Sequence, residues 1–146
     1  MKFHLIIIFL LTANLVFTQA PDIQWQKNYG GSYDDIGHAI SNTSAGGFII
    51  TGDSKSSNGD ITGHHGAITT SDYWIVNTNE DGDINWQKSY GGTLNDVGTQ
   101  ILQTADGGFI TCGYAESTNG NVTENIGWFD YWIIKMNSAG IIEWKK

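Results

Sequence analysis

The chain has 146 residues, of which 15 are acidic and 7 basic, for a formal net charge of −8. Every basic residue is a lysine and the lysines are scattered, which excludes the basic face that nucleic acid requires. A single cysteine, Cys112, excludes an internal disulfide framework, so stability must come from packing.

Residues 1–20 read as a secretory signal peptide. Lys2 supplies the positive start, Leu5–Leu11 is an unbroken apolar run, and Thr18-Gln19-Ala20 places small residues where a signal peptidase cuts. The apolar run is shorter than the roughly 20 residues a membrane span needs, so no span is expected once the leader is removed. The mature chain is then expected outside the cell.

From residue 21 the sequence states nearly the same unit twice. Ile23-Gln-Trp-Gln-Lys-Asn-Tyr-Gly-Gly31 returns as Ile84-Asn-Trp-Gln-Lys-Ser-Tyr-Gly-Gly92, Gly46-Gly-Phe-Ile49 as Gly107-Gly-Phe-Ile110, and Asp72-Tyr-Trp-Ile75 as Asp130-Tyr-Trp-Ile133. The spacing is 61 residues up to Gly113 and 58 from Asp130 onward, so the second copy is three residues shorter in one stretch, as a surface loop allows. The reading is repeat 1 at 21–83, repeat 2 at 84–141, and the opening of a third copy at 142–146, which suggests a fragment of a longer array. Units this short bury their apolar faces by stacking on further copies.

Within the second unit four strands are predicted. Ile84–Tyr90 alternates apolar and polar residues, Gly98–Thr104 is weaker, Gly108–Tyr114 is rich in β-formers, and Tyr131–Met136 combines aromatic and β-branched residues. The connectors Ser44–Gly47, Glu80–Asp83, Ala105–Gly108 and Ser138–Gly140 carry turn chemistry. The expected class is all-β: a β-propeller-like fold of about two four-stranded antiparallel blades, each roughly 60 residues, and incomplete because propellers typically have about 4–8 blades. A β-solenoid is the second architecture. Further repeats or other chains would be needed to close the ring.

Taken together, Trp-Gln-Lys-x-Tyr-Gly-Gly, Gly-Gly-Phe-Ile, the Gly59-Asp-Ile-Thr-Gly63 loop and Asp-Tyr-Trp-Ile resemble the repeats of secreted, cell-surface propeller-type proteins of the Bacteroidota. The resemblance spans Asp22–Lys146. It implies an extracellular propeller, often followed by a sorting domain for type IX secretion, which is not part of this sequence. It carries over no catalytic residues.

The recurring carboxylates Asp35/Asp96 and Asp72/Asp130 are expected to be structural, because a propeller active site breaks the symmetry of its repeats. Asn77–Asp83 has the look of a calcium loop, but the EF-hand position for a bidentate Glu is Lys88, and a β-turn fits better. Five tryptophans follow the repeat and are assigned to packing: Trp25, Trp86 and Trp144 at one position, Trp74 and Trp132 at another.

Specificity is expected where the copies disagree, in the loops 55–71 and 116–129. There the candidate ligand-binding residues are Asp60, His64, His65, Trp128 and Phe129. His38, whose counterpart is Thr99, lies far off in sequence. No catalytic set, metal site or cofactor is predicted. The expected function is an extracellular structural or binding module whose partner is a glycan or a surface protein. The alternative is a fragment of a carbohydrate-active propeller enzyme.

Overall fold

In the computed structural model, which describes residues 20–146, eight strands form two antiparallel sheets and nothing is helical. The expected signal segment lies outside the described residues except for Ala20. Among the described residues no helix is long and apolar enough to cross a membrane.

The first sheet runs in chain order through β1 (Asp35–Asn42), β2 (Phe48–Ser54), β3 (Asp72–Thr78) and β4 (Ile84–Tyr90). The second repeats the plan with β5 (Asp96–Gln103), β6 (Phe109–Ala115), β7 (Asp130–Met136) and β8 (Ile142–Lys145). All pairings are between sequence neighbours, so each sheet is a four-stranded meander of the kind found in a propeller blade. The fold is all-β and propeller-like, with two blades that do not close.

The blades are shifted by one strand from the sequence repeats. Ile84–Tyr90, which opens the second repeat, pairs with β3 from Tyr73↔Tyr90 to Asn77↔Trp86 and, after a one-residue shift, at Thr78↔Ile84, and so completes the first blade. Ile142–Lys145 likewise completes the second blade. The cause is the tight turn before each of these strands. Asn79 Oδ1 accepts the N–H groups of Asp81 (3.0 Å) and Asp83 (2.8 Å), and Gly82 takes the positive φ of 78° that reverses the chain. The segment that resembles a calcium loop is therefore a hairpin turn.

Residues 22–31, the first copy of the Trp-Gln-Lys motif, belong to no strand. They lie against the first blade through side-chain bonds to that same turn: Trp25 Nε1 donates to the Glu80 carbonyl (2.9 Å) and Tyr29 Oη to the Gly82 carbonyl (2.6 Å). The second copy does the same one blade further on. There Trp86 donates to the Ser138 carbonyl (3.2 Å) and Tyr90 to the Gly140 carbonyl. Burial pushes the Tyr90 phenol up to about 12, so it remains a donor across the physiological range.

The core lies between the blades. One face of the first sheet offers Ile49, Thr51, Tyr73, Ile75 and Tyr90; the opposing face of the second offers Ile101, Phe109, Thr111, Trp132, Ile134 and Met136. Tyr73 packs edge-on against Trp132 at 4.9 Å and donates its hydroxyl to the Trp132 carbonyl (2.9 Å). Gly98 on β5 permits the approach, since a β-carbon there would lie 2.4 Å from Thr51 Oγ1 and 2.8 Å from the Tyr73 ring. A smaller cluster of Ile61, Trp74 and Val76 fills the far face of the first sheet beneath Tyr29. Of the five repeat tryptophans, Trp74 and Trp132 are buried and Trp25 and Trp86 pack edge-on against Phe48 and Phe109. Trp144 is 48% exposed, because none of the described residues stacks on its side of the second sheet.

Candidate functional site

The recurring carboxylates tie loops to strands. Asp35 accepts the Gly31 amide (2.7 Å) and the Ser56 hydroxyl (3.0 Å). Asp96 accepts the Gly92 amide (2.8 Å), the Ser117 hydroxyl (2.7 Å) and the Glu116 and Ser117 amides (both 3.2 Å). Asp130 takes the amides of Ile126 (2.6 Å) and Gly127 (3.1 Å). Each position organises the backbone where the chain leaves or enters a blade.

The sequence-predicted site residues do not form one cluster. Asp60 is a second such tie: it accepts the Gly30 amide and returns its own amide to the Gly30 carbonyl, both at 3.0 Å. Asn121 makes the matching pair with Gly91, so this position follows the repeat after all.

His64 and His65 converge on Asp72 instead of Asp60. His65 donates its backbone N–H (2.7 Å) and its ring Nδ1–H (2.8 Å) to Asp72 Oδ2, with His64 Nδ1 at 3.7 Å. The His64 side chain is only 3% exposed, so it is a packed residue and not a solvated one. The reason is the longer first loop, which folds back over the start of β3.

Burial pushes the Asp72 carboxyl above its usual range, against the opposing pull of the His65 bonds. Burial likewise raises Asp96, and the nearby Asp72 charge adds to it. A carboxyl whose folded pKa is raised stabilises the fold fully below its unfolded value, near 3.8, and loses that contribution as pH rises through the folded value. Asp72→Asn keeps the acceptor for His65 and removes the charge. Its stability relative to the parent is therefore expected to improve as pH rises from 3.8 to 7, measured by urea unfolding at each pH. A difference independent of pH would refute the buried-charge account.

Trp128 and Phe129 part company. Trp128 is 82% exposed above a shallow cleft with Leu94, Glu116 and Thr118. Phe129 packs edge-on against Tyr114 at 5.3 Å and enters a groove of about 460 Å³ between the blades.

This groove gathers positions where the two copies differ. Ile36 and Val97 are one repeat position, His38 and Thr99 another, Asp53 and Tyr114 a third, and all six line it. Lys55, Ser71, Asn95 and Phe129 complete the wall. His38 and Thr99 reach it by the same device. The pairing of β1 with β2 shifts between Gly37 and Ala39, and that of β5 with β6 between Gly98 and Gln100, so each is the unpaired residue of a β-bulge. Bulges re-aim side chains and recur beside functional sites. His38 Nε2 then donates to Asp53 Oδ1 at 2.8 Å, fixing a polar pair opposite the Tyr114–Phe129 aromatic pair.

Sequence reasoning found Phe129 and passed over Asp53, Tyr114 and Asn95. The signal was present: the rule that function lies where copies disagree applies to strand ends as well as to loops.

Among the described residues no group of three or more His, Cys, Asp or Glu side chains is placed to hold a metal ion. No protein-family model matches the chain, and a search of the curated proteins returned no match.

Proposed function

We propose that this chain is an extracellular binding module whose ligand, a glycan, enters the groove between the two blades. One observation carries the reading: residues that break the repeat's symmetry converge there from both blades, polar on one side and aromatic on the other. A sugar ring offers hydroxyls to a fixed polar pair and an apolar face to an aromatic ring, and His38–Asp53, Asn95 and Phe129 present that combination. The signal-like residues 1–20 and the resemblance to Bacteroidota surface repeats support an extracellular setting. Trp128, on the neighbouring cleft, would extend the contact to a second sugar unit.

Binding is favoured over hydrolysis by the groove's composition. Glycosidases commonly use two carboxylates across the scissile bond, whereas Asp53 is the one carboxylate among the described residues lining this groove. Screening the full chain against immobilised polysaccharides is expected to show binding without release of reducing sugar. Phe129→Ala, an exposed truncation that leaves the core intact, is expected to weaken that binding by about tenfold or more, as loss of an aromatic anchor does. Turnover of any glycoside would favour the enzyme reading, and unchanged affinity in Phe129→Ala would move the site elsewhere.

A further inference from the structure

At the end of the sheets opposite the groove, the two blades enclose a second cavity, of about 190 Å³. The groove is lined from where β1 and β5 begin. This cavity is lined from where they end, by the β1–β2 turn, the residues around the β3–β4 hairpin, and Gln103 of β5. Thr43, Asn77, Asn85 and Gln103 give it polar walls, and Phe109 adds an apolar one. Among the described residues no Asp, Glu, Lys or His side chain lines it.

The two copies disagree here as well. Ala45, Asn77 and Asn85 hold the repeat positions of Asp106, Lys135 and Glu143. In the second blade Lys135 reaches over the β5–β6 turn to Asp106 (3.0 Å) and Glu143 (2.8 Å), and a β-carbon on Gly108 would lie 2.6 Å from its Nζ. In the first blade a shorter, neutral side chain replaces the lysine and an alanine replaces the aspartate. The equivalent space beside Gly47 is therefore open and forms part of the cavity. The amides around it are held in place. Asn85 Nδ2 donates to Asn77 Oδ1 (3.1 Å), Asn77 Nδ2 donates to the Phe48 carbonyl (3.4 Å), and Gln103 Oε1 accepts the Ser44 amide from the other blade (2.7 Å). A carboxamide has two N–H donors and an oxygen with two lone pairs, and a hydroxyl both donates and accepts, so these bonds leave both kinds of group for a ligand.

We infer that this cavity is a second ligand site, which takes one ring of an uncharged sugar. Prearranged amide and hydroxyl groups match sugar hydroxyls, and Phe109 offers an apolar surface to the ring's C–H groups. A carboxylate or an amine would enter without a counter-charge and would lose its hydration uncompensated. The volume is below the roughly 300–1,000 Å³ of sites that bury a drug-sized ligand, which limits the occupant to a single unit. The cavity and the groove share no lining residue, so this site stands independently of the one proposed above.

The test is an amide NMR titration of the nitrogen-labelled full chain with glucose, galactose and N-acetylglucosamine at millimolar concentration, and with glucuronic acid as the charged counterpart of glucose. At least one neutral sugar is expected to shift the side-chain amide signals of Asn77, Asn85 and Gln103 saturably, and glucuronic acid is expected to leave them in place. Asn85→Ala, at an exposed position, is expected to weaken that binding about threefold to tenfold, as loss of one or two hydrogen bonds does. Ala45→Asp, Asn77→Lys and Asn85→Glu together build the second blade's ion-paired set into the first. That variant is expected to abolish the shift at Gln103 with an unchanged circular-dichroism spectrum. Phe129→Ala is expected to leave the shifts intact, which separates this site from the groove. No saturable shift of these three amides with any of the neutral sugars would overturn the inference, even where Asn95 in the groove responds. Equal shifts with glucuronic acid, or unchanged affinity in Asn85→Ala, would overturn it as well.

Discussion

Tyr73→Ala is expected to lower the unfolding free energy by about 3–5 kcal/mol, while Tyr131→Ala, at the same position of the repeat, changes it by less than about 0.5 kcal/mol. Tyr73 is fully buried between the sheets, and its truncation removes a ring packed on Trp132, a hydrogen bond to the Trp132 carbonyl, and the filling of the space beside Gly98. The cavity cannot collapse easily, because both sheets are held by their own backbone ladders. Tyr131 has none of these contacts within one copy. Both variants should be compared by denaturant titration under the same conditions. Equal losses at the two positions would contradict the packing described here.

Asp96→Ala is expected to cost about 3–6 kcal/mol, from leaving the buried amides of Gly92 and Ser117, the Glu116 amide and the Ser117 hydroxyl without their acceptor, at about 1–3 kcal/mol for each group that water cannot reach. Asp35→Ala should cost less, because Asp35 is only half buried and water can replace it at Gly31. A catalytic carboxylate would behave in the opposite way, its loss abolishing activity and often leaving stability unchanged or improved. Thermal unfolding of the two variants side by side distinguishes these roles. A stable Asp96→Ala protein would show that the corner between β4 and β5 is held by something else.

Much of the fold is legible because it rests on local rules. Alternation in Ile84–Tyr90, the β-branched and aromatic run Tyr131–Met136, and the glycine-bearing turns each specify their own geometry from neighbours in sequence. The loops 55–71 and 116–129 are likewise legible, since length differences between copies are tolerated only outside the sheets. The candidate groove is half legible. Phe129 stands out as an aromatic in a variable loop, but His38, Asp53 and Tyr114 look like ordinary strand residues until the bulges at His38 and Thr99 turn them toward one another. The adjacent pair His64-His65 misleads for the converse reason: titratable side chains that suggest a ligand set are occupied in holding a buried Asp72.

By itself the sequence determined that the chain is all-β, that it repeats, and which residues occupy equivalent places. Tertiary structure alone decided where one blade ends and the next begins, because a repeated pattern reads identically from any starting strand and only the hairpin at Asn79–Asp83 joins the Trp-Gln-Lys strand to β3. It alone decided also that Tyr73 is core and Tyr131 surface, since burial belongs to whatever is stacked on a residue and not to the residue's place in its repeat.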